Sequence, residues 1–166
     1  MRTINRVIRK IIDMNKALPE NEKIRFLSCS WGTPDDTFAD ERKSLFDEAE
    51  RNGIMVLGGF YKHTMLTRSF DRRYGSSGNG LGIPVDGKTN PYYLGGYAYE
   101  RLGGASSTYP YLAGVFALAL QDNPEFTRQP DWQDLLMRIA YDTAVDSVVN
   151  PAGIVAEAAR ICQTLK

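Results

Sequence analysis

The feature that most constrains this fold is an apolar, uncharged run from Tyr111 to Leu120. It follows Pro110, and proline is common in the first turn of a helix because the N–H that it lacks has no partner there. No charged residue occurs until Asp122, and a helix that is apolar on every side is normally buried. The sequence therefore predicts a central helix that is buried all round.

The residues ahead of this helix are small: Gly103 and Gly104 lead into Ser106, Ser107 and Thr108. A helix N-terminus has unpaired backbone N–H groups and the positive end of the helix dipole, so a serine there can serve in binding or catalysis. Small residues also suit a tight packing entry and a helix cap. On this spacing alone, Ser106 is either a functional serine or a structural one.

Shorter apolar runs at 24–30 and 54–57 flank a helical pattern that ends at Asn52 and Gly53. Helix and strand in alternation at this spacing favour βαβ units and a parallel sheet. The remaining predicted elements, in chain order, are an amphipathic helix at 1–16, a patternless functional or mobile loop at 60–82, a strand at 81–85, a turn at 86–91, a hairpin at 92–99, and helices at 127–144 and from 150 onward.

The amino-acid composition limits the classes of function that we expect for this chain. The 166 residues carry no net charge and are 43% apolar, which gives no electrostatic reason to expect a nucleic acid or an anionic membrane as partner. No run of about 20 apolar residues is present, and the first residues lack the unbroken apolar segment of a signal peptide. We therefore expect no membrane span, and a cytoplasmic location is the default.

Metal and cofactor chemistry is not indicated. Cys29 and Cys162 lie in apolar patterns that are typical of buried core residues. With His63 as the single histidine, the usual ligands of structural zinc are too few. The glycine-rich segments match neither a phosphate-binding loop nor a dinucleotide fingerprint. We expect neither a metal nor a cofactor.

The stretch Gly104–Gly114, Gly-Ala-Ser-Ser-Thr-Tyr-Pro-Tyr-Leu-Ala-Gly, resembles the serine motif of subtilisin-like peptidases, Gly-Thr-Ser-x-Ala-x-Pro-x-x-Ala-Gly. On this match Ser106 falls at the nucleophile. Phe26–Gly32 is similar to the family's substrate-binding strand, which ends in Ser-Leu-Gly, and Gly53–Gly59 is similar to the strand that leads to Ala-Gly-Asn. Asn150 and the proline after it resemble the entry to the family's final helix.

This resemblance implies a three-layer α/β/α fold with a mainly parallel sheet, truncated, in which residues 1–166 form a single domain similar to the second half of a subtilisin-like catalytic domain. It implies a peptide or protein substrate and, beside the nucleophile Ser106, a cleft formed by Ser30, Trp31, Gly32, Gly58 and Gly59. These residues follow strands at the edge where open α/β sheets bind ligands. Trp31 is either a substrate contact or a packing residue.

Several departures separate the chain from the family. The Asp-Thr/Ser-Gly and His-Gly-Thr motifs, which carry the other two triad residues, do not occur. Phe60–Lys62 stand where the oxyanion asparagine is expected, Ala105 replaces threonine, and Tyr111 replaces histidine. The sedolisin-type serine-carboxyl peptidases are a more distant second resemblance: they tolerate the Gly-Gly entry, and their glutamate and aspartate also belong upstream.

A serine hydroxyl is a weak nucleophile unless a base takes its proton. The sequence favours a surface-loop position for His63, Lys62 would need burial to act as a base, and Asp86 lies in a predicted turn. Two hypotheses follow: the C-terminal part of a subtilisin-like serine endopeptidase, inactive alone, or a non-catalytic module that binds peptides or a partner protein. Half of a parallel sheet exposes an edge, so we expect self-association or a complementing N-terminal chain.

Overall fold

Helices and short strands alternate along the chain, so the predicted α/β class is confirmed. The computed structural model describes residues 2–30, 39–58, 61–71, 75–76, 80–91, 94–100 and 105–164. The described helices are α1 (Arg2–Ala17), α2 (Ala39–Arg51), α3 (Thr108–Gln121), α4 (Trp132–Asp142) and α5 (Pro151–Gln163). The described strands are β1 (Phe26–Cys29), β2 (Met55–Gly58), β3 (Thr67–Asp71), β4 (Gly75–Ser76), β5 (Leu81–Pro84), β6 (Lys88–Pro91) and β7 (Tyr97–Glu100).

The strands form three small sheets. β1 and β2 pair in parallel, in a register that places Phe26 opposite Met55 and Cys29 opposite Gly58. β3 pairs in parallel with β5 and antiparallel with β4, and β6 and β7 form an antiparallel hairpin. The parallel pairing predicted for the first two strands is therefore confirmed.

Helices cover both faces of the β1–β2 pair. Met55 and Leu57 belong to a core cluster that is completed by α3, α4 and α5. Ile54 and Val56 belong to a second cluster, completed by α1 and α2. All four side chains are fully buried, which explains why β2 is a continuous apolar run and not an alternating one.

Charged side chains also join α1 to α2 at the surface. The carboxylate of Glu48 accepts hydrogen bonds from Arg9 at 2.5 Å and from Lys16 at 2.9 Å. The hydrogen bond from Arg9, followed in size by the one from Lys16, lowers the pKa of the Glu48 carboxyl to about 2. Exposed ion pairs of this kind contribute little, so the apolar stripe of α1 carries most of this contact.

The central helix α3 is not buried all round, so that prediction is wrong. Its inner face is packed in the larger core cluster. The opposite face is open: Leu118 is 56% exposed, and Gly114 and Ala117 are exposed beside it. Within the described ranges, no element covers this apolar face.

The segment at 60–82 also departs from expectation. Residues 62–66 form a 3₁₀ turn, and the segment then supplies β3 and β4, so the prediction of a patternless loop is wrong there. β6 likewise occupies residues predicted as a turn. The start of the final helix is confirmed, since the side chain of Asn150 accepts a hydrogen bond from the Gly153 N–H at 3.1 Å. No described helix is long and apolar enough to span a membrane.

Two buried asparagines on α1 provide a matched test of this packing. Asn5 is 2% exposed, and neither its amide oxygen nor its amide nitrogen has a hydrogen-bond partner. Asn15 is 1% exposed, but it accepts from the Ile24 N–H at 2.6 Å and donates to the Asn52 carbonyl at 3.3 Å. An unpaired buried polar group costs about 1–3 kcal/mol.

We therefore expect Asn5→Leu to raise the free energy of unfolding by about 1 kcal/mol and Asn15→Leu to lower it by about 1–3 kcal/mol. Urea unfolding followed by circular dichroism measures both changes. Equal losses in the two variants would contradict the packing of α1 described above.

Candidate functional site

Two predicted site residues that are distant in sequence lie in contact. Ser30 directly follows β1, and Ser106 lies in a 3₁₀ turn, Ala105–Ser107, that leads into α3. The Ser30 hydroxyl donates a hydrogen bond to the Ser106 carbonyl at 2.7 Å. The Ser106 hydroxyl lies 3.5 Å from the Ser30 carbonyl oxygen, at the limit of a hydrogen bond. Ser106 is exposed, so its hydroxyl is open to a ligand.

Gly58 ends β2 beside the same strand end. Its φ of +108° is one that L side chains rarely adopt, and a Cβ at this position would lie 2.0 Å from the Cys29 carbonyl oxygen. The ring of Tyr109 would be 3.0 Å from that Cβ. Glycine is therefore required for β2, β1 and the first turn of α3 to approach one another. The Gly58 N–H donates to the Thr64 hydroxyl at 3.0 Å.

The first residue of α3 is also anchored. Thr108 is buried, and its hydroxyl lies 3.4 Å from the hydroxyl of Ser69 on β3. The structure therefore gathers the C-terminal ends of β1 and β2 and the N-terminus of α3 at one edge, where open α/β sheets bind ligands. Trp31, Gly32 and Gly59, also predicted for the cleft, lie outside the described residues.

The single histidine does not lie in a surface loop, so that prediction is wrong. The His63 side chain is 6% exposed, and its Nε2 lies 2.9 Å from Glu50 while its Nδ1 lies 3.3 Å from Asp134. Both ring nitrogens thus contact carboxylates, from the end of α2 and the start of α4. His63 acts as a structural link between these helices and is not available as a base for Ser106.

Lys62 binds the same carboxylate as His63, so these side chains form one polar cluster. Its Nζ lies 2.7 Å from the Glu50 carboxylate, and the Tyr61 hydroxyl donates to Asp47 at 2.6 Å. Burial alone would raise the pKa of Glu50, but the hydrogen bonds from His63 and Lys62 outweigh it, so that pKa lies below its ordinary value. Burial is the largest cause that raises the pKa of the Tyr61 hydroxyl, and the hydrogen bond to Asp47 is the second.

Sequence reasoning missed this cluster. The feature of the sequence that could have revealed it is a complementarity of charge. The end of α2 is acidic, and the next polar segment along the chain carries Tyr61, Lys62 and His63 in succession. Because the intervening strand is only four residues long, the two segments are forced close together.

In the described part of the chain, no group of three or more His, Cys, Asp or Glu residues is placed to hold a metal ion. Cys29 and Cys162 are buried and belong to no disulfide, as predicted. Burial raises the pKa of the Cys29 thiol to about 12, so this thiol is neutral and unreactive at ordinary pH.

The fold is similar to solved protease domains. The patellamide maturation protease PatA matches 95% of this chain and 68% of its own, with a TM-score of 0.66 and 15% identity. The prenylagaramide maturation protease PagA matches 93% of this chain and 66% of its own, with a TM-score of 0.63 and 16% identity. The subtilase cytotoxin SubAB matches 97% and 66%, with a TM-score of 0.66 and 14% identity.

At these identities the similarity concerns the fold. The chain has the fold of subtilisin-like protease domains and spans about two thirds of the length of the solved structures that it matches. No family model matches its sequence, and no curated protein matches it either.

The approach of β2 to β1 gives a matched pair of glycine substitutions. In Gly58→Ala the new Cβ clashes with the Cys29 carbonyl, and the backbone φ is also unfavourable for alanine. In Gly96→Ala only the φ of +75° is unfavourable, because no atom lies within 4 Å of the new Cβ. We expect Gly58→Ala to lower the free energy of unfolding by about 3 kcal/mol or more and Gly96→Ala by about 1–2 kcal/mol. Urea unfolding measures both, and equal losses would contradict the strand contact.

The buried cluster predicts a pH dependence. A folded-state pKa below the ordinary value of about 4.3 stabilises the fold above that pH, and this contribution is lost as the pH falls through the folded pKa. We expect Glu50→Gln to cost about 1–3 kcal/mol at pH 7 and the gap to the unsubstituted chain to close below about pH 4.3. Unfolding midpoints from pH 3 to pH 7 measure it. Glu22→Gln, at an exposed position, is the control; a gap that does not change with pH would contradict this role of Glu50.

Proposed function

We propose that this chain, as one domain, is the C-terminal part of a subtilisin-like serine endopeptidase. It contributes the nucleophile Ser106 and one wall of a cleft for an extended peptide. What supports the proposal is the contact between Ser106 and Ser30, because a nucleophile and a peptide-binding strand must share one edge for attack on a bound peptide. PatA and PagA, which share the fold, are maturation proteases.

The proposed roles follow from simple chemistry. The backbone at the end of β1, where Ser30 lies, pairs with an extended peptide, as in other strand-addition complexes. The hydroxyl of Ser106 attacks the peptide carbonyl carbon, and the helix N-terminus of α3 favours the negative charge that develops on the carbonyl oxygen. Ser30 positions the Ser106 backbone through its hydroxyl hydrogen bond.

Turnover also requires a base and a group that orients it. His63 and Lys62 are bound to carboxylates elsewhere, so neither serves Ser106. We therefore propose that the base comes from polypeptide beyond the described residues, and that the chain alone is inactive or nearly so.

A non-catalytic module that binds peptides or a partner protein is the alternative. The observation that favours it is that both ring nitrogens of the single histidine contact carboxylates, those of Glu50 and Asp134. In this case the strand ends of β1 and β2 still bind an extended peptide, and the hydroxyl of Ser106 is only a hydrogen-bonding group.

Labelling with a fluorophosphonate probe separates the two functions. The chain is tested alone and together with the polypeptide encoded ahead of it in the same reading frame, and the labelled residue is identified by mass spectrometry. We expect labelling of Ser106 to increase at least tenfold when that polypeptide is present, because only then is a base available.

Two controls accompany this experiment. Ser106→Ala should abolish labelling, and Ser28→Ala, at another exposed serine, should leave it unchanged. If Ser106 stays unlabelled in both preparations while a fluorescein-labelled extended peptide still binds, the peptidase proposal fails and the binding module is supported.

A further inference from the structure

The Thr64 hydroxyl ties the end of β2 to the 3₁₀ turn that follows it. The Met55 N–H donates to the Arg25 carbonyl at 2.8 Å, so Met55 faces β1. Because alternate residues of a parallel strand face the same neighbour, Gly58, three residues further on, directs its N–H away from β1. That N–H donates to the Thr64 hydroxyl at 3.0 Å, and the hydroxyl donates to the Tyr61 carbonyl at 3.0 Å. One buried side chain therefore satisfies two backbone groups.

The same turn is held by two helices. His63, the residue before Thr64, contacts Glu50 of α2 and Asp134 of α4 through its two ring nitrogens. Thr64 itself is 5% exposed, so its hydroxyl serves the protein and not the solvent. The turn is thus fixed to the helical scaffold by His63, and Thr64 in turn fixes the end of β2 to the turn.

The end of β2 contacts the first turn of α3. A Cβ added to Gly58 would lie 3.0 Å from the Tyr109 ring and 2.0 Å from the Cys29 carbonyl oxygen, so the Gly58 backbone packs closely against both. Tyr109 follows Ser106 by three residues, at the start of the helix into which Ser106 leads. The Thr64 hydroxyl therefore reaches this part of the site through one intermediate, the strand end at Gly58.

A second route from Thr64 runs along β3. The Thr64 carbonyl accepts a hydrogen bond from the Thr67 hydroxyl at 2.8 Å, and Thr67 is the first residue of β3. Two residues further on, the hydroxyl of Ser69 lies 3.4 Å from the hydroxyl of Thr108, the first residue of α3. Both routes end in the same helical turn, and every group on them belongs to the described part of the chain.

We infer that Thr64 is a positioning residue, which holds the turn of Ser106 in place through these two routes. The role rests on the proposed function, because a serine that attacks a bound peptide must be held close to the geometry of attack. A threonine that served stability alone would also satisfy the Gly58 N–H, but its loss would leave the turn of Ser106 unchanged.

Two-dimensional ¹⁵N–¹H NMR of the chain alone tests this coupling. Thr64→Val removes the hydroxyl and keeps the shape of the side chain, so the buried Gly58 N–H loses its acceptor. We expect the amide resonances of residues 106–109 to shift together with that of Gly58, because the strand end moves against the Tyr109 ring. Thr64→Ser keeps the hydroxyl and should restore the resonances.

Thr143→Val is the matched control. The Thr143 hydroxyl donates to the Ile139 carbonyl at 2.7 Å, at the end of α4, so this substitution also removes one hydroxyl hydrogen bond. It should leave the resonances of residues 106–109 in place. Circular dichroism confirms that each variant is folded. Thr64→Ala, a smaller side chain that lacks the same hydroxyl, provides the test if Thr64→Val does not fold.

Fluorophosphonate labelling measures the consequence for the serine. With the polypeptide encoded ahead of the chain present, we expect Thr64→Val to slow the labelling of Ser106 about tenfold. Thr64→Ser should restore the rate, and Thr143→Val should leave it unchanged. A purely structural role would lower the unfolding midpoint without changing this rate.

Three results would overturn the inference: resonances of residues 106–109 that do not move in the folded variant without the hydroxyl, a shift that Thr64→Ser does not reverse, or a labelling rate that Thr64→Val leaves unchanged. If the unsubstituted chain is not labelled at all, the proposed function fails. The amide shifts still decide whether Thr64 positions the turn of Ser106.

Discussion

The close approach of β2 to β1 at Gly58 is the contact on which the rest of the structure depends. Without a side chain there, the end of β2 lies against the Cys29 carbonyl and the ring of Tyr109. This holds both strands between two helical layers, since the side chains of β2 alternate between the two core clusters. The candidate site depends on the same contact, because Ser30 follows β1 directly and binds the backbone of Ser106.

The polar groups of the molecule divide into two sets with different tasks. The hydroxyl groups at the strand ends lie at the surface, where a ligand can reach them. The side chains of His63 and Glu50 are buried and paired with each other, and His63 also contacts the exposed Asp134, which joins α2 to α4. Paired buried charges are costly to break, so this second set serves the stability of the scaffold, whereas the first set is the one for which we propose a function.

The elements that sequence reasoning predicted correctly are those in which one strong local signal agrees with the packing. The helix α1 has a regular apolar stripe, β2 is an apolar run that ends in glycine, and α5 begins at an asparagine cap followed by proline. In each case neighbouring residues alone determine the structure, so periodicity and capping were sufficient.

The errors have a common physical origin, which is that long-range contacts decide the outcome. β3, with the sequence Thr-Arg-Ser-Phe-Asp, has no strand periodicity and owes its form to pairing with β5. The apolar composition of α3 predicted full burial, but burial depends on which elements stand beside it. The position of His63 was set by carboxylates 13 residues before and 71 residues after it. Of the candidate site, the sequence placed Ser106 before the helix, but only the fold shows its contact with Ser30.

Native-state hydrogen exchange measures the central contact most directly. If the β1–β2 pair is the centre of the fold, the amides of Met55 and Leu57 exchange only through global unfolding. Their opening free energies then equal the free energy of unfolding and fall together in Gly58→Ala. If these amides exchange as fast as those of the β6–β7 hairpin, the pair is not the structural centre and the site built on it cannot be held in place.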